Sequence, residues 1–202
     1  MATAANETAL PPIVDPRSLR TARLLRSGAL LLTGLGIAFT APLHEQLEFD
    51  RWAIFVGLLI IGCVTLVEYR VLRFTLESWW IAARAIIAFA AVGALLAVSD
   101  SVGIALVVAA WAALTAVVTI LRLVRGAQPK QVAIPSALLS VALAVISLLV
   151  MGDAVALIGF FGAYAVIRGV FLGISAFDGG AAAHTAPVAA SPEIDPSTES
   201  ES

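Results

Sequence analysis

The sequence predicts an all-α membrane protein: six transmembrane helices arranged as three tandem helical hairpins, with both ends of the chain on the cytoplasmic side. Three observations carry this expectation. Of the 202 residues, 60% are hydrophobic and only 13% charged, about half the charged share that a water-covered domain usually carries. The apolar residues gather into runs of the length, about 20 residues, that a helix needs to cross a hydrocarbon layer roughly 30 Å thick. Basic residues collect on alternate connections between those runs.

The first run, Leu25–Leu43, follows Arg17, Arg20, Arg23 and Arg26. This flank suits a secretory leader, but Ala38-Phe39-Thr40-Ala41-Pro42 puts Phe39 where a cleavage site wants a small residue, so the helix is read as retained. A polar break from Pro42 to Arg51 separates it from the second run, Trp52–Leu72. Arg73 to Ser78 lead to the third, Trp79–Val98, and Ser99-Asp100-Ser101 to the fourth, Val102–Leu121. Arg122 to Gln131 precede the fifth, Val132–Met151, whose Pro135 is read into the first turn, where a missing N–H costs little. Gly152-Asp153 introduce the sixth, Ala154–Ser175. Each run is continuous rather than alternating, and backbone groups in lipid must be satisfied within their own segment, so all six are read as helices. Around this domain of residues 25–177, residues 1–24 form a basic segment and residues 178–202 an acidic tail. Neither buries enough apolar surface to offset the entropy of ordering, and both are expected to be disordered on the cytoplasmic side. Within the first, Asp15-Pro16 suits the start of a short helix leading into the first span.

The second helix of each pair begins near Trp52, Gly103 and Ala154, a period of about 51 residues that divides the chain into repeats at about 25–73, 79–125 and 132–177. Each repeat is an apolar helix, a short break, a second apolar helix and, in the first two, a basic stop: Arg70 and Arg73, then Arg122 and Arg125. The repeats are parallel, since every hairpin starts and ends on one side. Arg17, Arg20, Arg23, Arg26, Arg70, Arg73, Arg122, Arg125 and Lys130 share that side, while Arg51 is alone on the other. Basic residues stay in the cytoplasm, which orients the chain. Trp79 and Trp80 are then interfacial on the inside and Trp52 on the outside, and Trp111 falls mid-span, where it packs between helices.

Glu68, Arg84 and Arg168 interrupt the apolar runs, where a charge near the centre is disfavoured by about 2.5–3.5 kcal/mol. By helical rise, Glu68 and Arg84 lie level, roughly 7–8 Å inside the cytoplasmic boundary. They are placed to pair across the second and third helices, with Arg168 deeper. Such a cluster is either a structural lock with snorkelling arginines or part of a pathway for protons or a small solute. Ala165, Gly169 and Gly173 recur every four residues and allow close helix packing, within the chain or in a dimer. The outer connections carry Glu45, Glu48, Asp50, Asp100 and Asp153 beside His44, either an acid-sensing surface or what remains when Lys and Arg are kept inside. Cys63 is the only cysteine, so no disulfide forms within the chain. No metalloprotease, serine-hydrolase, P-loop or dinucleotide motif is present, and His44 and His184 fall on opposite sides of the membrane. No catalytic residue, cofactor, metal or nucleic-acid partner is therefore expected, and the expected partners are the lipid bilayer and a second membrane protein or copy of the chain.

The first hairpin, Ser27-Gly28-Ala29-Leu30-Leu31-Leu32-Thr33-Gly34-Leu35-Gly36-Ile37-Ala38-Phe39-Thr40-Ala41-Pro42 followed by Trp52-Ala53-Ile54-Phe55-Val56-Gly57-Leu58-Leu59-Ile60-Ile61-Gly62, resembles the repeat of HdeD-type acid-resistance membrane proteins. Members have a glycine-rich helix, a break often at proline and a second helix with spaced glycines; the second repeat here lacks the proline and most of the glycines. The resemblance implies a non-enzymatic bacterial inner-membrane protein linked to acid stress or envelope maintenance, and supplies no catalytic residues. Two other functions fit the same residues: a small transporter or channel subunit using Glu68 and the arginines, and a membrane scaffold that binds partners through its tails or sixth helix.

Overall fold

The computed structural model describes residues 16–43, 46–73, 78–126 and 130–181. The expected disorder of residues 1–15 and 182–202, together with His44, Glu45 and His184, lies outside them. Among the described residues there are six α-helices: α1 (Pro16–Phe39), α2 (Leu47–Leu72), α3 (Ser78–Ala97), α4 (Ser101–Val124), α5 (Lys130–Leu149) and α6 (Ala154–Ala181). All six contain a stretch long and apolar enough to cross a membrane. Large apolar side chains such as Leu32, Ile86, Leu138 and Leu149 point outward on several helices, a surface that lipid covers and water would not.

Helix ends follow local chemistry. The side chain of Asp100 accepts from Gly103 N at 3.1 Å, and that of Asp153 from Ala156 N at 2.9 Å, so two acidic residues cap the second helices of their hairpins. At the far end of α4, Gly126 takes a left-handed φ of 69° and its N–H bonds Leu123 O at 3.1 Å, a conformation that suits glycine after a helix. Three boundaries differ from expectation. Helix α1 begins at Pro16, where the Asp15-Pro16 pair predicts a helix start, but runs unbroken into the first span, so residues 16–24 are not a disordered segment. Helix α6 continues to Ala181, past the expected limit of 177. Helix α5 begins at Lys130, which makes Pro135 its sixth residue and puts it in the second turn. The cause is common to all three. Hydropathy marks the edge of the hydrocarbon, whereas a helix runs on into the interface, where long basic side chains reach water. The carbonyl freed by Pro135 belongs to Gln131, an exposed residue near that watery end, which keeps the cost low.

The helices close into a ring. The two helices of each hairpin touch, but the most extensive contacts join different hairpins: α1 with α6, α4 with α5, and α2 with α3. Helix α6 also meets α2 and α4 across the middle, so the second helices of the hairpins turn inward. The repeat is visible in what they bury. Leu58, Val108 and Ile158 are sealed from the surface at intervals of 50 residues, and so are Ile61, Trp111 and Phe161. The α1–α6 seam is built from glycine. A Cβ on Gly34 would stand 2.6 Å from Gly162 O, and one on Gly169 would stand 3.0 Å from Ser27 O. Ser27 Oγ closes the seam by donating to Gly169 O at 2.7 Å. Gly169 and Gly173 thus pack on α1 within one chain, with Ala165 fully buried beside them.

Candidate functional site

The inward faces of five helices carry polar residues toward the end of the ring where the basic connections lie. On α1, Ala22, Arg26, Leu30, Thr33 and Ile37 recur at helical spacing and are all buried, while Arg17, Arg20 and Arg23 are exposed. The same spacing runs through Leu58, Ile61, Thr65 and Glu68 on α2 and through Trp111, Thr115, Thr119 and Arg122 on α4. Helix α3 brings Arg84, and α6 brings Tyr164 and Arg168. These faces line a small, partly open cavity. Arg26, Arg84, Arg168, Thr65, Thr115 and Tyr164 supply its polar wall, and Leu30, Ile61 and Trp111 its apolar one. The free space is that of about one water molecule.

Two polar nodes organise the wall. In the first, Arg26 Nη1 donates to Glu68 Oε2 at 2.8 Å, both side chains being largely buried. The expected partner of Glu68 is Arg84. Instead α1, packed beside α2, delivers Arg26 to the carboxylate, and Arg84 remains within Coulombic range of both without closing an ion pair. In the second, Arg168 is 4% exposed and donates to Tyr164 Oη and, at 3.0 Å, to Ser140 Oγ on α5. Ser140 and Tyr164 hydroxyls lie 3.3 Å apart. The guanidinium also sits 5.3 Å from the Tyr164 ring centroid, within cation–π range. Trp111 packs edge-on to Tyr164 at 5.7 Å and against Phe161 at 5.9 Å, and so forms a floor between the polar residues and the apolar core.

Glu68, Arg84 and Arg168 are therefore brought to one region, and two residues join them that the sequence places on the flanks. Arg26 and Arg122 look interfacial because each stands at an edge of an apolar run. A partial signal is phase with depth. Arg26 sits at the middle of the stripe of Ala22, Leu30, Thr33 and Ile37, with Arg23 at that stripe's edge and a turn nearer the helix end, and Arg122 continues the stripe of Trp111, Thr115 and Thr119. Arg122 lies within Coulombic range of Glu68 and Arg84. Glu68 and Arg168 are 100 residues apart, equivalent positions two repeats of 50 away, occupied by opposite charges.

Beyond the cavity the interior turns apolar. Ile54, Leu58, Ile104, Val108, Leu157, Ile158 and Phe161 are almost wholly buried. At the opposite end the acidic residues do local work. Asp100 and Asp153 cap helices, Glu48 pairs with Arg51 at 2.9 Å, and Arg51 also donates to Val98 O at 3.2 Å, at the end of α3. Asp50 is buried. Among the described residues no group of three or more His, Cys, Asp or Glu side chains is placed to hold a metal. The site is rich in N–H and O–H donors and poor in acceptors, and it lacks a nucleophile–base pair. Such a wall can hold water or a negatively charged group. No family model, curated protein or solved structure matches the chain.

Proposed function

We propose that this membrane protein is a small transporter subunit that admits a small solute to the arginine-lined cavity from the side bearing the basic connections, which is the cytoplasmic side. One observation carries the reading: Arg26, Arg84 and Arg168 line a single cavity inside the helix ring. A structural lock needs one arginine and one carboxylate. Arg168 is held by Tyr164 and Ser140, but the further guanidinium of Arg84 is unfavourable at this depth unless something polar visits it. The apolar residues beyond the cavity act as a seal, so passage requires the inner helices α2, α4 and α6 to part. A proton path is less well supported than a solute path, because Glu68 is already held by Arg26 and the seal carries no proton acceptor. The likeness of the first hairpin to HdeD-type proteins supplies a physiological setting in which to look, survival in acid.

The test is flux from proteoliposomes loaded with a panel of small ions and neutral solutes. Protein-dependent efflux of at least one is expected, falling to the lipid background with Arg84→Gln. Absence of efflux for every solute with folded wild-type protein rules out transport, and efflux unchanged in both Arg84→Gln and Glu68→Gln removes the cavity from the path. Deleting the gene is expected to lower survival at acidic pH; equal survival detaches the protein from acid stress.

A further inference from the structure

We propose that the cavity binds one monovalent inorganic anion of halide size, chloride or bromide in particular, an inference that rests on reading the cavity as the solute site. Charge comes first. A guanidinium does not give up its proton in a protein, so the three lining arginines stay cationic. Among the described side chains Glu68 is the one carboxylate at this end of the bundle, and it engages Arg26 through a single nitrogen. Positive charge therefore exceeds negative at the cavity.

Unmet donors come second. The Arg26 side chain is 9% exposed, yet its Nε is buried with no hydrogen-bond partner. Arg84, half-buried, lines the same cavity and forms neither an ion pair nor a hydrogen bond among the described residues. A buried donor without an acceptor is costly, more so when charged. An anion between these groups answers both, accepting N–H bonds from the arginines and an O–H bond from Thr115, the Thr65 hydroxyl being already given to Ile61 O at 2.7 Å.

Size and polarity then choose among anions. Space for about one water molecule fits a halide better than phosphate, sulfate, carboxylates or lipid headgroups. Leu30, Ile61 and Trp111 offer no hydrogen bonds in place of lost hydration. That favours chloride and bromide, which hold their water loosely, over fluoride, which holds it tightly.

The experiment is equilibrium binding of radioactive chloride to the purified full-length protein in detergent and nitrate-free gluconate buffer. Saturable binding at a single site per chain is expected, displaced by bromide and unaffected by sulfate or phosphate. Arg84→Gln should weaken it by about tenfold or more, the loss of one charged hydrogen bond. Thr115→Met, which fills the cavity and leaves every charge in place, should abolish it. Arg125→Gln, an exposed arginine outside the cavity, should bind as wild type does. Absence of saturable chloride binding by folded wild type overturns the proposal, as does displacement by sulfate or phosphate, or full affinity in either cavity variant. Crystals soaked in bromide test the site without a variant: an anomalous peak beside Arg26 and Arg84 supports it, and the lack of one there overturns it. Binding is read without transport. Chloride binding with no flux therefore sinks the transporter and leaves the anion site, while flux of another solute without chloride binding does the reverse.

Discussion

Arg26 and Glu68 show what the interior of a membrane protein asks of a charge. Each is tolerated because the other lies 2.8 Å away, and neither helix could carry its charged residue inward alone. Removing one partner strands the other. Glu68→Ala is expected to destabilise the protein by about 3–5 kcal/mol, whereas Arg26→Met combined with Glu68→Leu should be neutral or stabilising by about 1–4 kcal/mol. Unfolding midpoints of the three detergent-solubilised proteins test this; a double variant no more stable than the single one would show that the pair is not a unit. The lower cost of the double change would also separate folding from function, since a stable protein lacking the pair can still be assayed for flux. Glu68, Arg84 and Arg168 were legible in the sequence because a charge inside an apolar run is conspicuous. The pairing was not, because it depends on which helix lies beside α2, and hairpin order alone favours α3. Arg26 was hidden for another reason. Three exposed arginines precede it, and only its place at the middle of the buried stripe, one turn deeper than Arg23, sets it apart.

Among the elements, the α1–α6 seam is the one that tolerates least. A side chain on Gly34 has nowhere to go, since its Cβ would meet the backbone of Gly162 and Val166 at 2.6 and 2.9 Å. Gly34→Leu is expected to push the two helices apart and to lower the unfolding temperature sharply. Gly93 makes a matched control: a Cβ there meets nothing within 4 Å. Gly93→Ala should be neutral or stabilising by about 0.5–1 kcal/mol, from reduced freedom of the unfolded chain. Equal tolerance of the two changes would argue against a seam of this closeness. The existence of all six helices could be read from apolar length, because lipid leaves a spanning segment no alternative. Their ends could not, since the first and last turns of α1, α5 and α6 extend into the interface, where hydropathy is silent. The small residues of α6 announced close packing, but glycine spacing is the same whether the neighbour is α1 or a second copy.

At the scale of the molecule, three similar hairpins in one chain make a ring whose inner wall repeats every 50 residues. The period was readable to within a residue. The ring order was not, because near-identical hairpins give no hint of which outer faces meet. The sidedness that charge leads one to expect can be tested with the protein's own chemistry, since Cys63 is its only cysteine. In a Cys63→Ser background, a membrane-impermeant maleimide should label Gly152→Cys in intact cells and Arg125→Cys only after permeabilisation. The opposite pattern would invert the orientation and move the cavity's opening to the outside.

Closure of the ring by α1 and α6 also fixes when the ring can be finished. During synthesis α1 enters the bilayer first, and α2 soon follows to meet Arg26 with Glu68. The glycine face of α1 finds its counterpart only once α6 has been made, so the ring stays open until then. Chains truncated before Ala154 should insert and then be cleared by membrane quality control, which pulse-labelling would reveal as a short half-life beside the full-length protein. A ring closed in this way is proofread by its sixth helix.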